Sequence, residues 1–331
     1  MHATVAERLL EHYRKTARQL PWRSPPGSDP PEPYRVWLSE VMLQQTTAAA
    51  VAPRFARFLE RWPTVEALAA AKDEDILAEW AGLGYYARAR NLIACARSVA
   101  ARGGFPGTER ELRILPGIGD YTAAAIAAIA FGERAVVIDT NVERVVSRLH
   151  ALEEKALVRP AADALTPDRD AGDFAQAMMD LGATICRPKA PRCDYCPLRS
   201  DCKAAELGTP EAFPVKAAKR SRPLRFGVAE WCRKGDCIRL VRRPAKGMLG
   251  GMAALPGDEW GDTPGPARAL AIVRHDFTHF SLHLAIVPVS KPASDGWWQP
   301  LGGISKAGLP TLYRKAVDAA LAAERETRLA A

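Results

Sequence analysis

Four cysteines crowd into seventeen residues as C-x6-C-x2-C-x5-C, at Cys186, Cys193, Cys196 and Cys202. In a reducing compartment thiols stay free, so a cluster this tight points to a metal centre. Thiolates are soft ligands that suit tetrahedral zinc and iron–sulfur clusters alike, and the spacing alone leaves both open. Four unrelated buried thiols is the bland alternative, and the density argues against it. Cys95, Cys232 and Cys237 read as ordinary core or strand residues. Two carboxylates suggest a second chemistry. Glu40 lies in VWLSEVMLQQ, where helical spacing sets Val36, Trp37 and Leu43 beside it. A carboxyl on such an apolar face loses solvation, which favours its neutral, proton-donating form. Asp139 follows the apolar run Ala135–Ile138 and precedes TNVE. It therefore stands at or just before a helix start, where free N–H groups favour the ionised form. One acid biased neutral and one biased charged is the division of labour of a glycoside-cleaving site. Taken alone, a salt-bridged glutamate and a plain N-cap aspartate explain the same residues.

A third segment, LPGIGDY over 115–121, places Gly117 and Gly119 in a turn ahead of the apolar run Ala123–Phe131. Glycines let backbone approach a ligand closely, and the N–H groups of a following helix grip phosphate without reading sequence. A fourth, GLGYYARAR over 82–90, mixes aromatics with arginines, which suits wedging a base stack and holding its backbone. A plain helix–turn–helix link and a helix C-cap with core aromatics are the structural alternatives.

These segments need a scaffold. The chain has 331 residues, 48% of them hydrophobic and 25% charged, which fits a soluble globular chain of two domains. Disordered, collagen-like and disulfide-stapled chains are excluded. The longest apolar run, Ala123–Phe131, falls far short of the ~20 residues of a membrane span. No secretory signal is visible, so a cytoplasmic, nucleoid-associated location is expected. Residues 1–207 read as helical: Ala6, Leu9, Leu10 and Tyr13 share a helix face, Asp73–Asp75 open a helix that Gly82 closes, and Thr108 with Glu111 forms a capping box. Residues 208–225 form a basic linker rich in Pro. Beyond it, 226–232 and 237–243 flank a hairpin turn, 277–284 alternates as one strand, and 311–328 reads as a closing helix. Of the net charge of +8, residues 183–225 supply +6. That suggests a polyanion partner, with a solvated linker as the alternative.

The order of helical domain, LPGIG hairpin, downstream Asp139 and 6-2-5 cysteine spacing resembles the helix–hairpin–helix DNA glycosylases of the endonuclease III superfamily. Within it, WLSEVMLQQT at 37–46, the 82–91 segment and QAMMDLG at 176–182 are similar to MutY-type adenine DNA glycosylases. The resemblance implies a mainly α N-terminal helix–hairpin–helix domain with an iron–sulfur loop over 1–207. It implies an α+β, Nudix-like domain that recognises 8-oxoguanine over 226–331. Glu40 would be the general acid on adenine N7, and Asp139 would stabilise the oxocarbenium-like sugar. Tyr121 and Asn141 would support them, and Arg23 would line the adenine pocket. Gln45 and Tyr85 would fill or wedge the stack, and Leu83, Gly117 and Gly119 would contact DNA. Cys186, Cys193, Cys196 and Cys202 would bind one [4Fe-4S] cluster, ordering a loop in which Arg187, Lys189 and Arg192 face phosphates.

Phe277-Thr278-His279 stands where the family has a Phe-Ser-His loop that contacts 8-oxoguanine; threonine keeps the hydroxyl and adds a methyl. The three histidines between 275 and 283 read as that loop plus a strand rather than a metal site. Bifunctional relatives carry lysine at position 121. Tyr121 offers no amine to attack C1′, so a monofunctional enzyme is expected. Residues 247–275 lack the R-E-x-x-E-E cluster of Nudix hydrolases, so pyrophosphate hydrolysis is not expected. The expected partner is double-stranded DNA with an A:8-oxoguanine or A:G mispair, bound by a monomer that flips the adenine out. Three other readings stand beside it: a binding module without catalysis, an iron–sulfur electron carrier, and a thymine- or uracil-mismatch glycosylase. The carrier's usual C-x2-C-x2-C-x3-C-P spacing is absent.

Overall fold

The computed structural model describes residues 3–215, 221–244, 247–257, 259–266, 268–291 and 295–330. Part of the expected basic linker, 216–220, lies outside the described residues. The chain forms two compact units, Met1–Ala70 with Asn91–Ala218, and Ala71–Arg90 with Lys219–Ala331.

In the first unit, local chemistry starts each helix. The Thr4 hydroxyl accepts from the Glu7 N–H while the Glu7 carboxylate accepts from the Thr4 N–H, a reciprocal cap that opens the Val5–Thr16 helix. Its buried stripe is Leu9, Leu10 and Tyr13. Pro33 begins the Pro33–Leu43 helix, at a position where the missing N–H costs nothing. Thr108 caps the short Glu109–Leu112 helix, and Gly119 stands at the N-cap of Asp120–Phe131. Thr122 through Ile129 are all buried, so this alanine-rich helix is apolar all round and forms the centre of the unit. Its small side chains let the Pro33–Leu43 and Ala171–Thr184 helices pack directly on it. Asp139 N-caps the Thr140–His150 helix, which also packs on Ala171–Thr184.

Among its described residues the second unit carries seven strands: β1 (Leu224–Trp231), β2 (Arg233–Lys234), β3 (Cys237–Arg242), β4 (Ala253–Ala254), β5 (Ala271–Asp276), β6 (Ser281–Pro288) and β7 (Trp297–Pro300). One sheet has the order β1-β6-β5, with β1 parallel and β5 antiparallel to β6. The other runs β2-β3-β4, with β7 also paired to β3. Ile238, Leu240, Leu282, Leu284 and Ile286 enter the core, and the Thr311–Ala330 helix adds Leu312, Tyr313, Ala316 and Val317. Two strand expectations change. The hairpin over 226–243 is confined to β2 and β3, because β1 pairs along its length with β6 instead. The single strand expected over 277–284 is interrupted: the Phe277 N–H donates to the Phe280 carbonyl at 2.9 Å, and residues 277–280 turn the chain from β5 into β6. Among the described residues no helix is long and apolar enough to cross a membrane.

The hairpin between Glu109–Leu112 and Asp120–Phe131 depends on Gly117. Its φ is +73°, and a Cβ there would sit 2.5 Å from the Asn91 Cβ. Gly117→Ala should therefore lower the free energy of unfolding by about 1–3 kcal/mol, combining strain with the clash. Denaturant titration checks this, and an unmoved midpoint would show that the turn rearranges freely.

Candidate active site

A cavity of about 850 Å³ opens in the first unit, lined by Glu40, Tyr121, Asp139, Asn141, Arg23 and Gln176 among others. Its size is that of a small-molecule site. The two carboxyls reach it from different backbone settings. Glu40 sits inside the Pro33–Leu43 helix, 5% exposed, on the turn that also buries Val36 and Trp37. Burial pushes its carboxyl up to about 7; the Asp139 charge adds to the rise, while the Tyr121 hydrogen bond and Arg23 oppose it. The Tyr121 hydroxyl donates to Glu40 Oε2 at 2.6 Å. Burial, with Glu40 and Asp139 nearby, holds that phenol well above its ordinary range, so it remains a neutral donor.

Asp139 stands at a helix start. Its Oδ1 accepts from the backbone N–H groups of Asn141 and Val142 at 2.8 and 2.7 Å, and its Oδ2 accepts from Asn141 Nδ2 at 2.8 Å. Both the plain N-cap reading and the functional one thus describe the same atoms. Asn141 is held in turn by Arg144, whose Nη2 donates to Asn141 Oδ1 at 2.9 Å and to the Gly182 carbonyl at 2.7 Å. Arg144 Nε donates to the Cys186 carbonyl at 2.7 Å.

Arg23 is clamped rather than free. Its Nη1 lies 2.9 Å from both Asp180 oxygens, and Arg18 Nε donates to the same carboxylate at 2.6 Å. Gln45, Gly117 and Gly119 also line the cavity. Gln45 is exposed and has a φ of +57°, a left-handed conformation that costs a non-glycine residue about 1–3 kcal/mol.

Cys186, Cys193, Cys196 and Cys202 line one void of about 30 Å³ elsewhere in the first unit. Arg148, only 2% exposed, ties their loop down: it donates to the carbonyls of Arg187, Pro188 and Phe213 and lies 3.4 Å from Cys186 Sγ. Burial pushes the Cys196 thiol up to about 11; the Leu198 N–H opposes this, and the Cys186, Cys202 and Cys193 thiols add to it. Four thiolates gathered there need a compensating cation, so the donor set fits a metal group. Among the described residues no group of three or more His, Cys, Asp or Glu side chains is arranged to hold a metal ion. Lys189 and Arg192 are exposed, while Arg187 is half-buried and donates to the Ala190 carbonyl.

In the second unit, Thr278 and His279 are exposed at the β5–β6 turn and Phe277 is half-buried below them. The Tyr85 and Thr278 hydroxyls are 3.0 Å apart. Tyr85 is 49% exposed with a φ of +47°, whereas Leu83 is buried, so the structure presents the tyrosine and not the leucine.

Residues 38–166 match the HhH-GPD superfamily of base excision DNA repair proteins, and 228–319 match the NUDIX domain. The adenine DNA glycosylase of Mycolicibacterium smegmatis is 41% identical over 219 residues, covering 64% of this chain and 73% of that protein. The chain belongs to the adenine DNA glycosylase family. The human family member is 36% identical over 313 residues, which cover 76% of this chain, and the chain spans 57% of that protein's length. It spans 46% of the Arabidopsis thaliana member. A solved thermostable thymine-DNA glycosylase superposes with a TM-score of 0.55 at 29% identity, covering 61% of this chain and 95% of that one. The first unit thus has the helix–hairpin–helix fold and the second a Nudix-like fold.

For this adenine DNA glycosylase family member, reasoning from sequence missed Arg144, and took Gln176 and Asp180 only as parts of the QAMMDLG segment without a role of their own. Gln176 and Asp180 stand four apart in an otherwise apolar helix, a polar i, i+4 pair that marks one buried face. Arg144 left no such signal. The buried Glu40 carboxyl also bears on stability. Below about pH 4.5 it is protonated folded or unfolded. From there to about 7 only the folded chain keeps the proton, so stability falls as pH rises through that window. Glu40→Gln removes the penalty. It should gain on the order of 2–3 kcal/mol over the parent at pH 8 and almost nothing at pH 4, read by denaturant titration at both.

Proposed function

We propose that this chain is a monofunctional adenine DNA glycosylase acting on adenine paired with 8-oxoguanine or guanine in duplex DNA. The observation that carries this reading is the pair of carboxyls in one cavity, Glu40 buried and proton-retaining, Asp139 held by three N–H donors. An adenine flipped out of the duplex fits a space of that size.

Near neutral pH Glu40 passes its proton to adenine N7. The C1′–N9 bond then breaks, its electron pair leaves with the base, and the positive sugar faces the Asp139 carboxylate. Water adds at C1′ and gives a proton back to Glu40, which resets the acid. Tyr121 keeps its proton and steadies the Glu40 oxygen that it bonds. With no amine at that position the product is an abasic site on an intact strand. Arg23, fixed by Asp180, and Gln176 offer hydrogen bonds to the base edge. The hairpin at Gly117 and Gly119 and the exposed Lys189 and Arg192 supply contacts to the DNA backbone. Gln45 and Tyr85, both in left-handed conformations, fill the stack, and Thr278 with His279 reads the oxidised base. Leu83, together with Tyr85, is assigned to the DNA-binding set.

Cys186, Cys193, Cys196 and Cys202 would hold a [4Fe-4S] cluster, which cross-links the 186–202 loop and supplies no step of the hydrolysis. The protein works as a monomer on nucleoid DNA in the cytoplasm.

Base release from duplexes carrying A:8-oxoguanine, A:G, T:G and U:G tests the reading. Adenine is expected from the first two, without strand scission, and release only from T:G or U:G would sink it. Glu40→Gln should slow the single-turnover rate by about 10²-fold or more while duplex binding persists. The parent rate should fall as pH rises above about 7, where Glu40 loses its proton. Purified protein should be brown, with visible absorbance lost in Cys196→Ser; a colourless, zinc-loaded preparation would reverse the cluster assignment.

A further inference from the structure

The turn that presents Thr278 and His279 is two residues long, closed by Phe277 and Phe280. Two-residue hairpin turns ordinarily use left-handed residues, because other turn types splay the strands. Neither Thr278 nor His279 is left-handed. Closure therefore needs help from outside the turn, and Trp260 is placed to give it. Its ring stacks on Phe277 at 5.3 Å and 29°, and lies 6.1 Å from Phe280; those two phenyl rings are themselves 4.9 Å apart.

Trp260 is held from several sides. The next residue, Gly261, exchanges backbone hydrogen bonds with Phe226 of β1 at 2.8 and 2.9 Å. Gly227 leaves room for the indole, since a Cβ there would sit 2.4 Å from Trp260 Cδ1. The Arg243 guanidinium lies 4.9 Å from the Trp260 ring and is anchored on the Tyr313 hydroxyl and the Met248 carbonyl. The indole Nε1 is buried without a hydrogen-bond partner. The side chain thus contributes its plane and not its polar atom.

We propose that Trp260 is a specificity-positioning residue: stacked under Phe277 and Phe280, it sets the tip so that Thr278 and His279 meet the base opposite the adenine. This rests on the reading that the turn recognises 8-oxoguanine. Trp260 is not among the residues that line the Glu40 cavity, so its effect falls on the choice of mispair and not on bond cleavage.

The test compares single-turnover adenine release by the full chain from A:8-oxoguanine and A:G duplexes. Trp260→Ala should slow release from A:8-oxoguanine roughly threefold to tenfold, the worth of the lost aromatic stacking, and leave A:G within about twofold. Trp260→Phe should retain the parent's ratio of the two rates. Gly227→Ala, which displaces the indole without removing it, should lower the ratio as Trp260→Ala does. Amide hydrogen exchange at Phe277 should quicken in Trp260→Ala and Gly227→Ala only. Folded Trp260→Ala or Gly227→Ala variants that keep the parent ratio, or that lose both rates equally, overturn the assignment. A parent that releases adenine from neither duplex overturns the glycosylase reading, and this role with it. An active parent whose Trp260→Ala variant keeps the ratio overturns this role alone.

Discussion

An uncharged carboxylic acid in a protein interior at neutral pH depends on everything around it. Burial on the helix turn beside Val36 and Trp37 raises the Glu40 carboxyl to about 7, so a large share of it keeps the proton near neutrality, while the Tyr121 hydroxyl that donates to Oε2 pulls the other way. Asp139 carries the same functional group in a different setting, accepting from the free N–H groups of a helix that begins beside it. Secondary structure alone separates the two acids: one sits in mid-helix, where backbone donors are already used, and one at a start, where they are unspent. The surrounding helices keep that contrast, and the alanine-rich Asp120–Phe131 helix is thin enough to bring both acids to one cavity.

Buried charge elsewhere in the first unit is always shared. Asp180 serves Arg18 and Arg23 together, Arg144 spans four acceptors, and Arg148 holds three carbonyls of the cysteine loop and its approach. A guanidinium is suited to this because its donors lie in a fixed plane and it stays charged when partly desolvated. The cost of burying each ion is offset only while all its partners stand, which makes these struts rigid. The loop around Cys186 and the carboxylate of Asp139 are thereby joined through Arg144 and Asn141 in one continuous bonded path.

Much of this was legible in the chain. The placement of Glu40 followed from helical spacing of apolar neighbours, and that of Asp139 from a short apolar run meeting a helix start. The gathering of four cysteines followed from their density. Arg144 escaped notice because its partners are mainly backbone carbonyls, and the role of Asp180 did so because its arginines lie more than a hundred positions away. The second unit was harder. Alternation over 277–284 reads as a strand, yet one backbone bond between Phe277 and Phe280 folds it into a turn. The parallel partnership of β1 and β6 joins segments some fifty residues apart, and the hairpin signal between β1 and β3 is local. In GLGYY the left-handed backbone at Tyr85 leaves its ring half exposed while Leu83 packs inward, a difference that the residue types do not announce.

The chain leaves its first unit after Ala70, spends twenty residues in the second, and returns at Asn91. Ile76, Trp80 and Leu83, all buried, belong to that excursion. The second unit is therefore not a cassette that one cut after the connector would release. Such a cut leaves three buried apolar side chains on the wrong fragment, so moving this unit means carrying two separated stretches of sequence together.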